Sequence, residues 1–512
     1  MEATVLRDSV DIERLAAETV EQALVEGEVA LPGGIREEAT VLGCEARLVI
    51  SSIEPQTDRL AMDGTVVFQV LYRQGDDLIR VLEANCAFNH HSDMAGIGAR
   101  MHPQVTGAVQ SATAQPISGR MRLRAVIDVS SRVYAPEQVD VVTGVKGVDN
   151  LQTLEQTYKL TRHAASGHAS ALLREEFDLS SPPTIVETLY AKAVPHIRNI
   201  SGGEGRAMVE GDVTLEVYHA GISTETPLIV TQHFFPFEQA VDLHGESGDD
   251  MVARVQVQDV VASSVDTGDG ARVLRTETVL DVEVESYTEI SMRSLRDAYT
   301  LTGSALSLNA APVSCFAGVS NYAAVESDKL VLPLKDGAPP VGKVLAALLT
   351  PKMTNNEQVG GRTVVEGILD AQVLYAPAND EIVTGVRQEI PFRIAFQGAL
   401  PANATAWLAA NEVHAEGIAS DRIELKYRME IEANAVLAQS VTLPVDVEYQ
   451  ASKPSRNGIV MIWPQQNETL WDIAKRARVT IDSIAKMNPG IDAAKVGQGI
   501  LIQKKANNGI PQ

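Results

Sequence analysis

One short pattern occurs three times and limits what the chain can fold into. Residues 64–72 read GTVVFQVLY, residues 211–218 GDVTLEVY and residues 367–375 GILDAQVLY. Each begins with glycine, alternates through apolar residues and ends in tyrosine. The glycines lie 147 and 156 residues apart, the spacing of whole domains rather than of solenoid units. Period-two alternation puts Val66, Phe68, Val70 and Tyr72 on one face of a strand, and Leu369, Ala371, Val373 and Tyr375 on the matching face. In the middle copy Val213, Leu215 and Val217 hold that face, while Tyr218 arrives one residue early.

The flanks repeat as well. Upstream of the glycines stand VEGEVALP, REEFDLS and ESDKLVLP; downstream a strand runs to Phe88, Phe237 and Phe392. Each copy closes on long alternating segments: MRLRAVIDVSSRV from 121, RTETVLDVEVESY from 275 and ELKYRMEIEANAVL from 424. Such Val-, Ile- and Thr-rich alternation marks half-buried antiparallel strands. The chain is therefore expected to be mainly β, with three repeated antiparallel β-sandwich or barrel-like domains at 1–150, 151–305 and 306–452. Alternation fades around 148–172 and 300–322, which predicts connectors there. Residues 9–24, SVDIERLAAETVEQAL, fit either a short docking helix or a lead-in strand.

The tail changes character. IVMIW is followed by NETLWDIAKRARV, TIDSIAKMNPGI and VGQGILI. Thr469 with Asp472 makes a helix start, and Leu470, Ile473, Ala474 and Ala477 line one helical face. Thr480 caps a second helix, which Asn488-Pro489-Gly490 ends. The order is β-α-α-β over 459–503, behind a polar linker, ASKPSRNG, at 451–458. From Ser455 onward eight Lys/Arg face four Asp/Glu, a balance of +4, whereas the whole chain carries −24. So acidic a chain is a poor partner for nucleic acid. An acidic body with a basic tail points to two binding tasks.

The tail closely resembles the LysM family, with TLWDIAK and MNPGI as its most specific phrases. That resemblance implies a shallow groove between the loops Gln466–Leu470 and Asn488–Asp492, which relatives use for N-acetylated glycans. It makes Asn467, Glu468, Thr469, Leu470, Trp471, Asn488, Pro489, Gly490 and Ile491 the candidate groove and partner-binding residues. Asn467-Glu468-Thr469 stands where the family has Gly-Asp-Thr. Trp471 is read as packing against the neighbouring strand in preference to stacking on a sugar.

Three β repeats followed by a LysM module resemble the SipL-like spore-coat morphogenetic proteins, whose repeats are SPOCS domains. The resemblance implies a non-enzymatic scaffold in the mother-cell cytoplasm at the forespore surface. It would tether the coat's basement-layer ATPase and meet other coat proteins, with the LysM as docking module. The alternative is a binder of peptidoglycan, its precursors or lipid-linked glycan. The acidic start MEATVLRDSVDIERLAAE does not read as an export signal, and no apolar run is long enough to span a membrane.

No cofactor, metal site or catalytic residue is expected. Cys44, Cys86 and Cys315 are odd in number and far apart, and read as core thiols. His90-His91 with His102 and Asp93 form the one local histidine cluster, read as a solvated loop rather than a metal site. The pairs Asp76-Asp77 and Asp249-Asp250 sit in glycine-flanked turns, and Asp266-Thr-Gly-Asp-Gly270 reads as a hairpin turn rather than a calcium loop. No Gly-x-Ser-x-Gly or P-loop is present. A hydrolase built on a β domain would need a deep pocket lined by two or more acids.

Overall fold

Each repeated segment is the middle strand of a three-stranded antiparallel sheet. In this computed structural model the described residues are 4–32, 39–74, 78–181, 184–203, 205–223, 226–245, 248–267, 272–301, 305–379, 382–401, 404–450, 458–491 and 493–504. The first unit contains β1 (Thr4–Ala30), β2 (Ala39–Gln56), β3 (Arg59–Gln74), β4 (Ile79–Asp93), β5 (His102–Ile117) and β6 (Arg120–Lys146). The second has β7 (Leu151–Asp178), β8 (Ile185–Gly203), β9 (Arg206–Ser223), β10 (Thr226–Asp242), the two-residue β11 (His244–Gly245), β12 (Asp250–Asp266) and β13 (Arg272–Thr300). The third has β14 (Ala305–Pro333), β15 (Val341–Val359), β16 (Arg362–Pro377), β17 (Thr384–Gln397), β18 (Thr405–Ala419) and β19 (Arg422–Gln450).

One topology serves all three. Sheet β2-β3-β4 faces β1-β6-β5; sheets β8-β9-β10 and β15-β16-β17 face the corresponding β7-β13-β12 and β14-β19-β18. Alternate side chains of both sheets form one core per unit, in which Val66, Val213 and Leu369 are each fully buried. The mainly β class expected from the alternation is what the structure has.

The leading glycines have a common cause. Gly64, Gly211 and Gly367 each pair with a residue beside a bulge on the neighbouring strand, where Ser51, Arg198 and Thr354 are the extra residues. Each extra residue donates from its side chain to a carbonyl across the pair: Ser51 to Asp63, Arg198 to Gly211, Thr354 to Glu366. A Cβ at Gly211 or Gly367 would lie 2.1 Å from a backbone oxygen, and one at Gly64 2.3 Å. Phe88, Phe237 and Phe392 pair directly opposite these glycines, which explains why the sequence repeats a glycine and, later, a phenylalanine.

The middle strands are buried on both faces, hence their nearly continuous apolar sequence. Seven residues after each glycine come Leu71, Tyr218 and Leu374, and all three enter a cluster shared by the three units. Tyr218 thus occupies the outward position of Leu71 and Leu374, not that of Tyr72 and Tyr375. It stacks on Tyr190 with ring centroids 4.3 Å apart.

The long first and last strands pair along their whole length, as β1–β6, β7–β13 and β14–β19. Each ribbon leaves its own unit and joins the other two in a second core. Ile12, Val141, Leu160, Met292, Cys315 and Leu443, one from each of the six strands, are buried together there. Single extra alanines, Ala16, Ala164 and Ala317, interrupt the first strand of each ribbon between its two halves. A bulge shifts the side-chain alternation by one residue. This accounts for two differences from the sequence reading. Residues 148–172 and 300–322 are mostly strand, in β7 and β14, not connectors, and 9–24 belong to β1 rather than to a helix.

Polar contacts also cross between units. The Gln372 amide exchanges hydrogen bonds with both the N–H and the carbonyl of Cys44, at 2.8 and 2.9 Å. His196 lies 3.0 Å from Glu430. Burial alone would lower the His196 pKa, but its hydrogen bonds with Glu430 and Glu432 carry it up to about 9. A raised histidine pKa stabilises the fold fully below the unfolded value and loses that contribution as pH rises through the folded one. The unfolding free energy of the wild type relative to a His196→Gln variant should therefore shrink between about pH 6.5 and pH 9, by roughly 2–3 kcal/mol once solvent screening of this partly exposed pair is allowed for. Urea midpoints of the two proteins at pH 6 and pH 9.5 test this; a gap that stays constant refutes it.

Candidate docking face of the tail module

The tail folds as β20 (Gly458–Ile462), α1 (Leu470–Ala477), α2 (Ile481–Met487) and β21 (Ile500–Lys504), with β20 and β21 antiparallel. Thr469 and Asp472 form a reciprocal capping box on α1. The Thr469 hydrogen bonds hold the Asp472 carboxyl below its ordinary range. Thr480 caps α2 through the Ser483 N–H. Ile473, Ala474, Ala477, Val479, Ile484, Ile500 and Ile502 form the small core.

Asn467 occupies the left-handed region at φ 64°, a backbone conformation that glycine adopts at no steric cost. Asparagine is among the few residues that visit this region readily. Glu468 is tied down: its carboxylate accepts from the Gln465 N–H at 2.9 Å and pairs with Arg476 at 3.2 Å. Asn488 is structural, donating to the Ile484 and Leu501 carbonyls and accepting from the Leu501 N–H, each at 2.8 Å. It thereby fixes the second loop to β21. Thr469, Pro489 and Gly490 are exposed, while Leu470 and Ile491 are half-buried against the core. The two loops therefore offer an exposed rim around two apolar side chains. Asp492, at the end of the second loop, and most of the linker at 451–458 lie outside the described residues.

Trp471 points elsewhere, to the end of β13. Its Nε1 donates to Asp297 Oδ2 at 2.8 Å, and its ring meets Tyr299 edge-on at 4.9 Å. Lys475 Nζ binds the other Asp297 oxygen at 2.6 Å. The Tyr299 hydroxyl donates to the Val479 carbonyl at 2.6 Å, and burial pushes its pKa up to about 12. The strand that receives Trp471 is thus one of the second unit, not one of the module's own. Asp297 and Tyr299 lie in SLRDAYTLTG, whose sequence signals the end of a repeat and nothing about a partner.

The histidines do not converge. His90 and His91 lie within β4, not in a loop, and His90 meets Glu21 at 3.1 Å. His102, on β5, instead meets Glu285 of β13 at 3.0 Å and stacks on His163. Glu285 also accepts from Gln104 and Tyr287, at 2.6 Å each. Burial would raise its pKa, but the hydrogen bond and charge of His102, with the Tyr287 hydrogen bond, bring it down to about 2. Among the described residues no group of three or more His, Cys, Asp or Glu is placed to hold a metal. Cys44, Cys86 and Cys315 are free and buried. Asp76-Asp77 and most of the 266–270 turn are outside the described residues, though Asp266 and Arg272 do pair across β12 and β13. Asp250 begins β12 directly after Asp249. A cavity of about 220 Å³ where the units meet is lined by two acids, Glu45 and Asp370. Both are in ion pairs, Glu45 with Lys192 at 2.9 Å and Asp370 with Arg387.

Comparison with known families agrees with this geometry. Residues 465–503 match the family model of the LysM domain, and residues 39–117, which run from β2 to β5 of the first unit, match that of the SipL SPOCS domain. Both are families of non-catalytic binding domains. No curated protein and no solved structure matches the chain. Among the described residues no helix is long and apolar enough to cross a membrane. The chain thus matches a SipL SPOCS domain over 39–117 and a LysM domain over 465–503, in agreement with the resemblance its sequence suggested.

Proposed function

We propose that the protein is a non-enzymatic scaffold of the spore coat, with β domains over 1–150, 151–305 and 306–452 and a LysM docking module over 459–503. In this reading it works in the mother-cell cytoplasm at the forespore surface and tethers the coat's basement-layer ATPase there. The observation that carries it is the presence of a SipL SPOCS match and a LysM match on one chain. The shared cores support it too, because three units joined by common apolar clusters make a rigid mount for a small module. The contact would be made by Asn467, Glu468, Thr469, Leu470, Trp471, Asn488, Pro489, Gly490 and Ile491, with Leu470 and Ile491 as its apolar centre. A basic module beside an acidic body favours an acidic partner surface, so added salt should weaken the contact.

A second reading, binding of peptidoglycan or lipid-linked glycan, is favoured by one specific feature. Asn467 holds a left-handed conformation in the groove turn, where the family has a glycine. Side-by-side titration of the full chain with the ATPase and with muropeptides separates the two. Asn467→Asp is the probe of choice, since aspartate tolerates the same backbone region and adds one negative charge at the rim. It should weaken ATPase binding about three- to tenfold. Tight muropeptide binding with no measurable ATPase binding would sink the scaffold reading.

A further inference from the structure

The contact between the tail and β13 is built to recognise something. Between Leu295 and Asp297 the pairing of β13 with β7 slips by one residue, leaving Arg296 as the extra one. Leu295 and Ala298 on either side of this bulge both point into the core between the ribbons, so Tyr299 turns outward to the module. The first and third ribbons carry equivalent slips, at Thr143 and Val445. In the middle ribbon the outward residues are an acid and an aromatic. The module meets them with three complementary groups: an indole N–H and an ammonium for the carboxylate, and the Val479 carbonyl, just past the end of α1, for the phenol.

We propose that Asp297 and Tyr299 are a latch, and that the module face made by Trp471, Lys475 and Val479 is a binding site for an extended acid-x-aromatic segment. β13 fills the site in cis, and a partner presenting the same chemistry displaces it. The inference rests on the reading of the tail as a docking module and adds what that module recognises. Because Trp471 and Leu470 are adjacent, a partner that needs both sees only the unlatched fraction of molecules. If about nine in ten are latched, release strengthens binding about tenfold.

The test uses the full chain with Trp407→Phe and Trp463→Phe, so that Trp471 is the single tryptophan. The probe is a synthetic peptide of residues 294–301, SLRDAYTL. Asp297→Asn with Tyr299→Phe removes the latch with almost no change in volume; Lys475→Met removes it from the module's side. Both should make Trp471 more accessible to acrylamide and shift its emission to the red. The Asp297→Asn/Tyr299→Phe protein should bind the peptide at least about tenfold more tightly than the latched chain, whereas Lys475→Met should gain no comparable affinity. Unchanged quenching in both variants would overturn the latch. Equal peptide affinity in latched and released chains, or an equal gain in Lys475→Met, would overturn the recognition site. None of these readouts involves the ATPase, so failure here leaves the scaffold reading standing, and failure of ATPase binding leaves the latch standing.

Discussion

Replacing Gly367 by alanine should destabilise the third unit by about 3 kcal/mol or more, among the large effects a single substitution can have. The added Cβ would sit 2.1 Å from the Lys352 carbonyl oxygen and 2.7 Å from the Phe392 ring. Neither neighbour can retreat. Lys352 lies next to the bulge at Thr354, whose hydroxyl is bonded to Glu366 across the strand pair, and Phe392 packs in the core opposite the glycine. The helpful effect of alanine on the unfolded chain is below about 1 kcal/mol and does not offset such a clash. For a domain of this size the melting temperature should fall by roughly 6–12 °C. Gly211→Ala should behave likewise, since its Cβ would meet the His196 oxygen at 2.1 Å and the Phe237 ring at 2.5 Å. Gly98, with nothing within 4 Å of an added Cβ, is the control and should tolerate alanine. Calorimetry of the three variants tests the repeat as a mechanical device. A neutral Gly367→Ala would mean that the glycine is not there for the bulge.

The sequence carried the strands better than it carried their relations. Alternation from Gly64, Gly211 and Gly367 was enough to identify three central strands and their inward residues, because burial on a pleated face leaves a period of two. It failed where a single inserted residue changes the phase. Ala16 makes the apolar positions of β1 resemble a helical stripe, and Ala164 and Ala317 break the alternation of β7 and β14. An isolated alanine carries no mark that distinguishes a bulge from a paired position. The early tyrosine at 218 was the one visible sign that the middle strands have a second buried face, since it faces Tyr190 in another core. In the tail, the caps at Thr469 and Thr480 and the stop at Asn488 could be read from local chemistry. The engagement of Trp471 by Asp297 could not, because the two are 174 residues apart and only the assembled ribbons bring them together.

The largest single polar effect is expected at Asp370. Its carboxylate is 2% exposed and takes two hydrogen bonds from Arg387, at 2.9 and 2.5 Å, with Lys352 at 3.7 Å. The same guanidinium donates from its third nitrogen to the Ala112 carbonyl of the first unit, at 2.7 Å. The ion pair therefore holds Arg387 in the geometry that links the third unit to the first. Asp370→Ala leaves a partly buried guanidinium without its counter-charge, which commonly costs about 3–5 kcal/mol. It should also loosen the junction between the units. Arg387→Met in the same chain removes the stranded charge, and the double variant should recover a large part of the loss, because an apolar side chain can replace a buried ion pair at little cost. Junction opening should persist in the double variant, since the bond to Ala112 is still missing. Hydrogen exchange along β5 separates the two contributions. The single variant should lose both global stability and protection near Ala112, and the double variant should regain the first but not the second. A double variant as unstable as Asp370→Ala would show that packing around residue 370, not the stranded charge, sets the cost.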